Sequence, residues 1–119
     1  MTDALLDLSI LNELERRLGR ERIGKVLAVQ LANGKELGRN LAALEAAPDR
    51  GRIRALAHQM AGSTGSIGLI GVSRQAAALE DVALTDSEAE LRTRMTTLRL
   101  SLEESQRRLI SQYPESEVS

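Results

Sequence analysis

The sequence predicts an all-α protein: an antiparallel up-down-up-down four-helix bundle preceded by a short additional N-terminal helix. Three observations predict it. Every stretch with regular apolar spacing repeats at three and four residues, the period of a helix face, and none alternates at two. The apolar residues are Leu, Ile, Val, Ala and Met, with Tyr113 the one aromatic, and a core of many small aliphatic contacts suits packed helices. The punctuation at Gly19, Pro48, Gly68 and Asp86 cuts the chain into helix-length segments with short connections, as in an up-and-down bundle. At 119 residues the chain fits one domain, residues 1–119, with an N-terminal helix at 7–18, the bundle at 21–113 and a frayed tail at 114–119.

Each element has its own signals. Asp7 and Ser9 are candidate N-caps for a first helix that carries Leu11, Leu14 and Leu18 at helical spacing and stops at Gly19. From Glu21 to Ala46, Ile23, Leu27, Leu37, Leu41 and Leu44 alternate at four and three, with Gln30 and Gly34 in the two remaining positions. One long helix is expected there, with a break at Asn33-Gly34 as the competing reading because that pair is a turn signal. Pro48 and Asp49 suit the first turn of the next helix, which runs from about Asp49 into a glycine series. Leu69, Val72, Ala76, Leu79 and Val82 mark a fourth helix ending near Thr85. Asp86 or Ser87 then caps a last helix whose stripe is Leu91, Met95, Leu98, Leu102, Ser105 and Leu109. The segment Pro114–Ser119 is expected to fray.

Composition excludes several functions. Sixteen Lys and Arg against seventeen Asp and Glu give a formal net charge of −1, and the basic residues form no block of the kind nucleic-acid binders use. No apolar run approaches the roughly 20 residues needed to cross a bilayer. The N-terminus lacks the basic start and apolar stretch of a secretion signal, so the cytoplasm is the expected location. Without cysteine there is no disulfide framework and no thiolate metal site.

The stretch RALAHQMAGSTGSIGLIGV, Arg54 to Val72, holds the single histidine, His58, followed by Gly62, Gly65, Gly68 and Gly71. At about 100° per residue, Ile53, Leu56, Met60 and Ile67 share a narrow sector that faces the core, and His58 points the other way. Its neighbours at helical spacing are Gly51, Arg54, Ala55, Ala61, Gly62 and Gly65, so the imidazole stands among short side chains on the solvent side. Glycine inside a helix costs up to about 1 kcal/mol relative to alanine, a cost that close approach by another surface would offset. A neutral, exposed imidazole can act as a nucleophile through a ring nitrogen.

Other chemistries lack their parts. No G-x-S-x-G elbow follows a strand, so Ser63 and Ser66 do not make a Ser-His-Asp hydrolase. Neither G-x-x-x-x-G-K-[ST] nor G-x-G-x-x-G occurs, and no lysine lies near the glycines, which argues against a nucleotide site. One histidine without cysteine or H-E-x-x-H offers no transition-metal site, and no metal is expected.

The segment AHQMAGSTGSIGLIGVSRQAAALE, Ala57 to Glu80, resembles the histidine-containing phosphotransfer domains of bacterial phosphorelays. His58, Gly62, Ser63, Gly68, Leu79 and Glu80 stand at the places of that family's pattern, and its short N-terminal helix and four-helix bundle extend the likeness over nearly the whole chain. The resemblance implies that His58 accepts a phosphoryl group from the aspartate of one receiver domain and passes it to another. The donor would be the receiver of a hybrid sensor histidine kinase, and the acceptor a response regulator. It implies further that Arg54, Ala55, Gln59, Ala61, Gly62 and Gly65 form the docking face around His58, and that the receiver brings the acidic cluster and Mg²⁺. The chain itself would need no cofactor and would have no ATP-dependent kinase activity. A monomer is expected. Family members commonly carry lysine three residues after the histidine, where this chain has Ala61; Arg54, one turn earlier, is the candidate substitute, although arginine and lysine differ in geometry.

Two other function classes are open to a helical chain of this kind. A helical interaction module that is never phosphorylated would bind a signalling partner, a reading that Ala61 favours. The dimerising hairpin of a sensor kinase also presents an exposed histidine, but an acidic residue normally follows it with a proline nearby; here Gln59 follows and no proline occurs until Pro114.

Overall fold

The computed structural model describes residues 5–117 and is all-helical: α1 (Leu8–Leu18), α2 (Arg20–Ala46), α3 (Arg50–Gly65), α4 (Ile70–Val82), α5 (Glu88–Gln112) and a terminal 3₁₀ turn, Pro114–Ser116. Three of the helices begin at side-chain caps. The Asp7 carboxylate accepts from the Ser9 and Ile10 amides and from the Ser9 hydroxyl, which does most to hold it below its usual range. Asp49 accepts from the Arg52 amide at 3.1 Å, and the Ser87 hydroxyl accepts from the Glu90 amide at 3.1 Å. Pro48 and Asp49 therefore precede α3 instead of forming its first turn, because the Asp49 carboxylate can reach the amides only from outside the helix.

Around the bundle, α3 packs on α4, α4 on α5, α5 on α2 and α2 on α3, while α1 lies on α2. Contacts fix the direction of two of these pairs. Glu45 meets Arg99, Gly38 faces Leu102 and Gly34 faces Gln106, so numbering falls along α2 as it rises along α5. His58 meets Glu80 and Ala61 meets Ser73, so α3 and α4 are also antiparallel. The core is aliphatic, with Ile23, Leu27, Leu41, Ile53, Met60, Leu79, Leu91, Met95, Leu98 and Leu102 closed to solvent.

The long second helix is unbroken through Asn33-Gly34. The reason lies in α5, since the Gln106 amide fills the space where a side chain on Gly34 would stand and donates to the Leu31 carbonyl at 3.5 Å. Leu31, and not Gln30, takes the core position in that turn. Ser105, the polar member of the α5 stripe, is fully buried with its hydroxyl donating to the Ser101 carbonyl at 2.7 Å.

Both ends of the described region are tied down. The Asp7 amide donates to the Gly68 carbonyl at 2.7 Å and the Gly71 amide to the Leu5 carbonyl at 3.2 Å, which straps the N-terminal segment across the α3–α4 connection. Gly68 makes this possible: its φ is +83°, and a Cβ there would stand 2.9 Å from the Asp7 carbonyl oxygen.

The expected frayed tail is not found over residues 114–116. Tyr113 is 1% exposed, and Arg20 lies 4.5 Å above its ring while donating to Glu15 and the Gln112 carbonyl and pairing with Glu115. Burying the one aromatic ring outweighs the polar character of the residues that follow it. Residues 118–119 of that tail lie outside the described residues.

Candidate functional site

His58 sits near the middle of α3, on the face opposite Ile53, Leu56, Ala57 and Met60, all buried. Its side chain is 78% exposed. The ring does not stand alone, because its Nδ1 lies 2.9 Å from Oε2 of Glu80 on α4. An ionised carboxylate can only accept, so the ring nitrogen facing it is the one that carries hydrogen. In its neutral form the imidazole is thereby held in the tautomer whose Nε2 lone pair is free. Glu80 itself is 29% exposed, anchored on a helix whose Val72, Ala76 and Leu79 are in the core.

The glycines around the ring divide by what they face. A Cβ added to Gly62 would meet nothing within 4 Å. Side chains on a helix lean toward its N-terminus, so a side chain at 62 would project over the His58 ring one turn earlier. Gly62 therefore keeps the imidazole open from that side. Gly65 does something else: a Cβ there would lie 2.8 Å from the Ser73 hydroxyl, which donates to the Ala61 carbonyl at 2.7 Å. It is a close-packing glycine between α3 and α4, half-buried, and its expected part in the open face is corrected accordingly. Gly68 and Gly71 belong to the N-terminal strap.

Of the other residues expected on this face, Arg54, Ala55 and Gln59 are exposed, and Ala61 is half-buried against the core. The Arg54 side chain makes no hydrogen bond or ion pair with any described residue. Ala55 and Gln59 also line an open cleft of about 330 Å³ between α3 and α2, walled by Leu44, Leu56, Asn40 and Arg52, so the exposed face continues from His58 onto α2. A larger cleft of about 700 Å³ lies between α2 and α5 and contains no residue of α3 or α4. Among the described residues no group of three or more His, Asp or Glu side chains is gathered as a metal site would need, and no helix is long and apolar enough to cross a membrane.

Glu80 and Ser73 are the residues that sequence spacing left without a role. Glu80 was legible only as a position in the family pattern, twenty-two residues from His58 on another helix. The pairing depends on how α3 and α4 are rotated against each other, which the spacing within either helix does not set.

Comparison with known proteins agrees with this architecture. The crystal structure of histidine-containing phosphotransfer protein B (HptB) from Pseudomonas aeruginosa PAO1 superposes with a TM-score of 0.63, covering 90% of this chain and 98% of that one at 19% identity. At that identity the likeness is one of fold. No curated protein matches the sequence. A model of the Hpt domain matches residues 9–108, nearly all of the helical region, and the chain accordingly belongs to the Hpt domain family, the histidine-containing phosphotransfer domains.

Proposed function

We propose that this protein is a phosphorelay intermediate that carries a phosphoryl group on His58. The observation that carries the reading is the imidazole itself: 78% exposed, held at Nδ1 by Glu80, and left open by Gly62 on the side where a partner must approach.

The chemistry follows from that tautomer. The Nε2 lone pair attacks the phosphorus of an aspartyl phosphate on a donor receiver domain. The N–P bond forms as the O–P bond breaks, and the electron pair of the broken bond leaves with the receiver's aspartate. No proton has to depart, because Nδ1 keeps its hydrogen and the positive charge that develops on the ring faces Glu80. Transfer to a second receiver is the same step in reverse. Because phosphoryl transfer depends chiefly on in-line positioning and charge stabilisation, a nucleophile fixed on a rigid helix is the main thing this chain must supply. The acidic cluster and Mg²⁺ are assigned to the receiver. Arg54, Ala55, Gln59, Ala61 and Gly62 form the docking face, which extends along the α2–α3 cleft. The reading makes the chain a cytoplasmic monomer and a phosphocarrier without kinase activity of its own.

The test is incubation with phosphorylated receiver domains from the same organism, followed by an assay for acid-labile label. Wild type should take up label and His58→Gln should take up none, with a stability change of about 0.5 kcal/mol or less for an exposed side chain. Unlabelled wild type that still binds receivers would instead favour a non-phosphorylated interaction module.

A further inference from the structure

We infer that Ser73 is a positioning residue for His58: its hydroxyl, bonded to the Ala61 carbonyl, fixes the rotation of α4 against α3 that brings Glu80 to the imidazole. The consequence for transfer rests on the phosphocarrier reading above.

Two contacts stand on one line along the seam between α3 and α4. His58 meets Glu80 at 2.9 Å, and Gly65 faces the Ser73 hydroxyl, which would lie 2.8 Å from a Cβ at that glycine. His58 and Gly65 are seven residues apart on α3, and Ser73 and Glu80 are seven apart on α4. Seven steps of about 100° return almost to the same face, and at about 1.5 Å each they span roughly 10 Å. Because the helices are antiparallel, one register serves both contacts. Among the described residues two side-chain hydrogen bonds join α3 to α4: the one between His58 and Glu80, and the one from Ser73 to the Ala61 carbonyl at 2.7 Å. A carbonyl oxygen has two lone pairs, so one within a helix can take this second donor.

What the Ser73 bond adds is direction. The buried side chains Leu56, Met60, Val72 and Leu79 hold the two helices together, but apolar burial has no preferred angle, whereas a hydrogen bond weakens steeply as it is bent. Past the end of α4, Arg50 reaches the Ala83 carbonyl at 3.2 Å through a long side chain that can follow a rotation. The Ser73 hydroxyl sits directly on Cβ and cannot. A turn of α4 by about 20° would carry a carboxylate some 6 Å from the helix axis through about 2 Å, enough to part Glu80 from Nδ1. Gly65 belongs to the same device, since a side chain there would push the hydroxyl off its carbonyl. Ser73 thus acts on the ring through Glu80, two turns away along α4.

The experiment reads the ring itself in the whole chain. With one histidine, the two ring nitrogens of ¹⁵N-labelled protein give unambiguous signals, and in alkaline buffer, where a histidine ring is neutral, their shifts report the ratio of the Nδ1–H to the Nε2–H tautomer. Glu80→Ala should lower that ratio by about fivefold. Ser73→Ala should lower it several-fold in the same direction, and Gly65→Ala, which displaces the same hydroxyl, should do likewise. The double variant Ser73→Ala/Glu80→Ala should match Glu80→Ala alone, because Ser73 acts through Glu80. Thr96→Ala, which loses a side-chain bond between α5 and α2, should keep the wild-type ratio. A wild-type ratio in Ser73→Ala, a further fall in the double variant, or an equal fall in Thr96→Ala would each overturn the inference. With a phosphorylated receiver, label uptake by Ser73→Ala should slow in step with the tautomer ratio; an unchanged rate would overturn the role in transfer. Folded wild type that takes no label at all would overturn the phosphocarrier reading instead, while the ring signals still decide whether Ser73 sets the His58–Glu80 pair.

Discussion

The Ser73 hydroxyl occupies the space that a side chain on Gly65 would need, 2.8 Å from where its Cβ would stand, while nothing lies within 4 Å of the same point on Gly62. These two glycines, one turn apart, should respond oppositely to alanine. Gly62→Ala gains helix propensity without a clash and should stabilise the protein by up to about 1 kcal/mol, a rise in Tm near 4 °C. Gly65→Ala must displace Ser73 from the Ala61 carbonyl, giving up a hydrogen bond worth about 1 kcal/mol, and should show no such rise. In a Ser73→Ala background the difference between the two glycines should narrow. Thermal melts of wild type, the two glycine variants, Ser73→Ala and the two double variants decide it.

The space beside Gly62 should be functional. Gly62→Leu is expected to fold as well as wild type but to lose phosphoryl transfer, since the new side chain would lean over the imidazole and hold a receiver out of line. A displacement of about 1 Å can cost on the order of a hundredfold in rate. Rapid transfer in the leucine variant would mean that receivers reach His58 from another side.

Glu80→Gln keeps the shape of the side chain and removes its charge. The pair it makes with His58 is solvent-exposed, and exposed ion pairs are worth at most about 1 kcal/mol. The rate of His58 phosphorylation should therefore fall by roughly fivefold and no more than about tenfold. A loss of a thousandfold would show that Glu80 does more than fix the tautomer and face the developing charge.

Glu45 should govern part of the acid stability. Burial pushes its carboxyl up, but the bonds from Arg99 and Thr96 outweigh burial and hold it below the ordinary 4.5. The stability it contributes is present above that value and is lost as pH falls through the depressed folded-state pKa. Glu45→Gln should cost about 1 kcal/mol at neutral pH, allowing for solvent screening, and almost nothing near pH 2. Urea melts across pH 2–7 should show the two stability curves converging on the acid side.

Tyr113 should prove structural despite its place near the chain end. Tyr113→Ala removes a ring that is 1% exposed and should cost about 3 kcal/mol or more. Arg20→Ala should cost less, because the stacked cation lies on the surface. Because Tyr113 is the only intrinsic fluorophore, its emission follows the same event that calorimetry measures.

The helices were legible because each has one apolar face, and spacing within a segment reports that face directly. Ile53, Leu56, Met60, Leu79, Leu98 and Leu102 are buried where the pattern puts them, and His58 is exposed where it must be. What spacing does not encode is how one helix is turned against another. Leu31 displaces Gln30 from the core because of how α2 sits in the bundle, and the Asn33-Gly34 turn signal is overridden by Gln106 from α5. The same limit hid the split of the glycine series, in which Gly62 faces open space, Gly65 faces Ser73, and Gly68 and Gly71 face the N-terminal segment. The tail was misread because Tyr113 acts with Arg20, a partner ninety-three residues away in sequence.

If His58 carries a phosphoryl group, the hold of Glu80 on Nδ1 favours one regioisomer. Phosphohistidine exists in two covalent forms, with phosphorus on the ring nitrogen proximal to the backbone or on the distal one. With the proximal nitrogen facing a carboxylate at 2.9 Å, phosphorylation of His58 is expected to give the distal form. An antibody selective for that form should detect the loaded protein, and one selective for the proximal form should stay silent. On the proposed phosphocarrier reading, Glu80 would set the chemical identity of the mark by which the protein's signalling state is read.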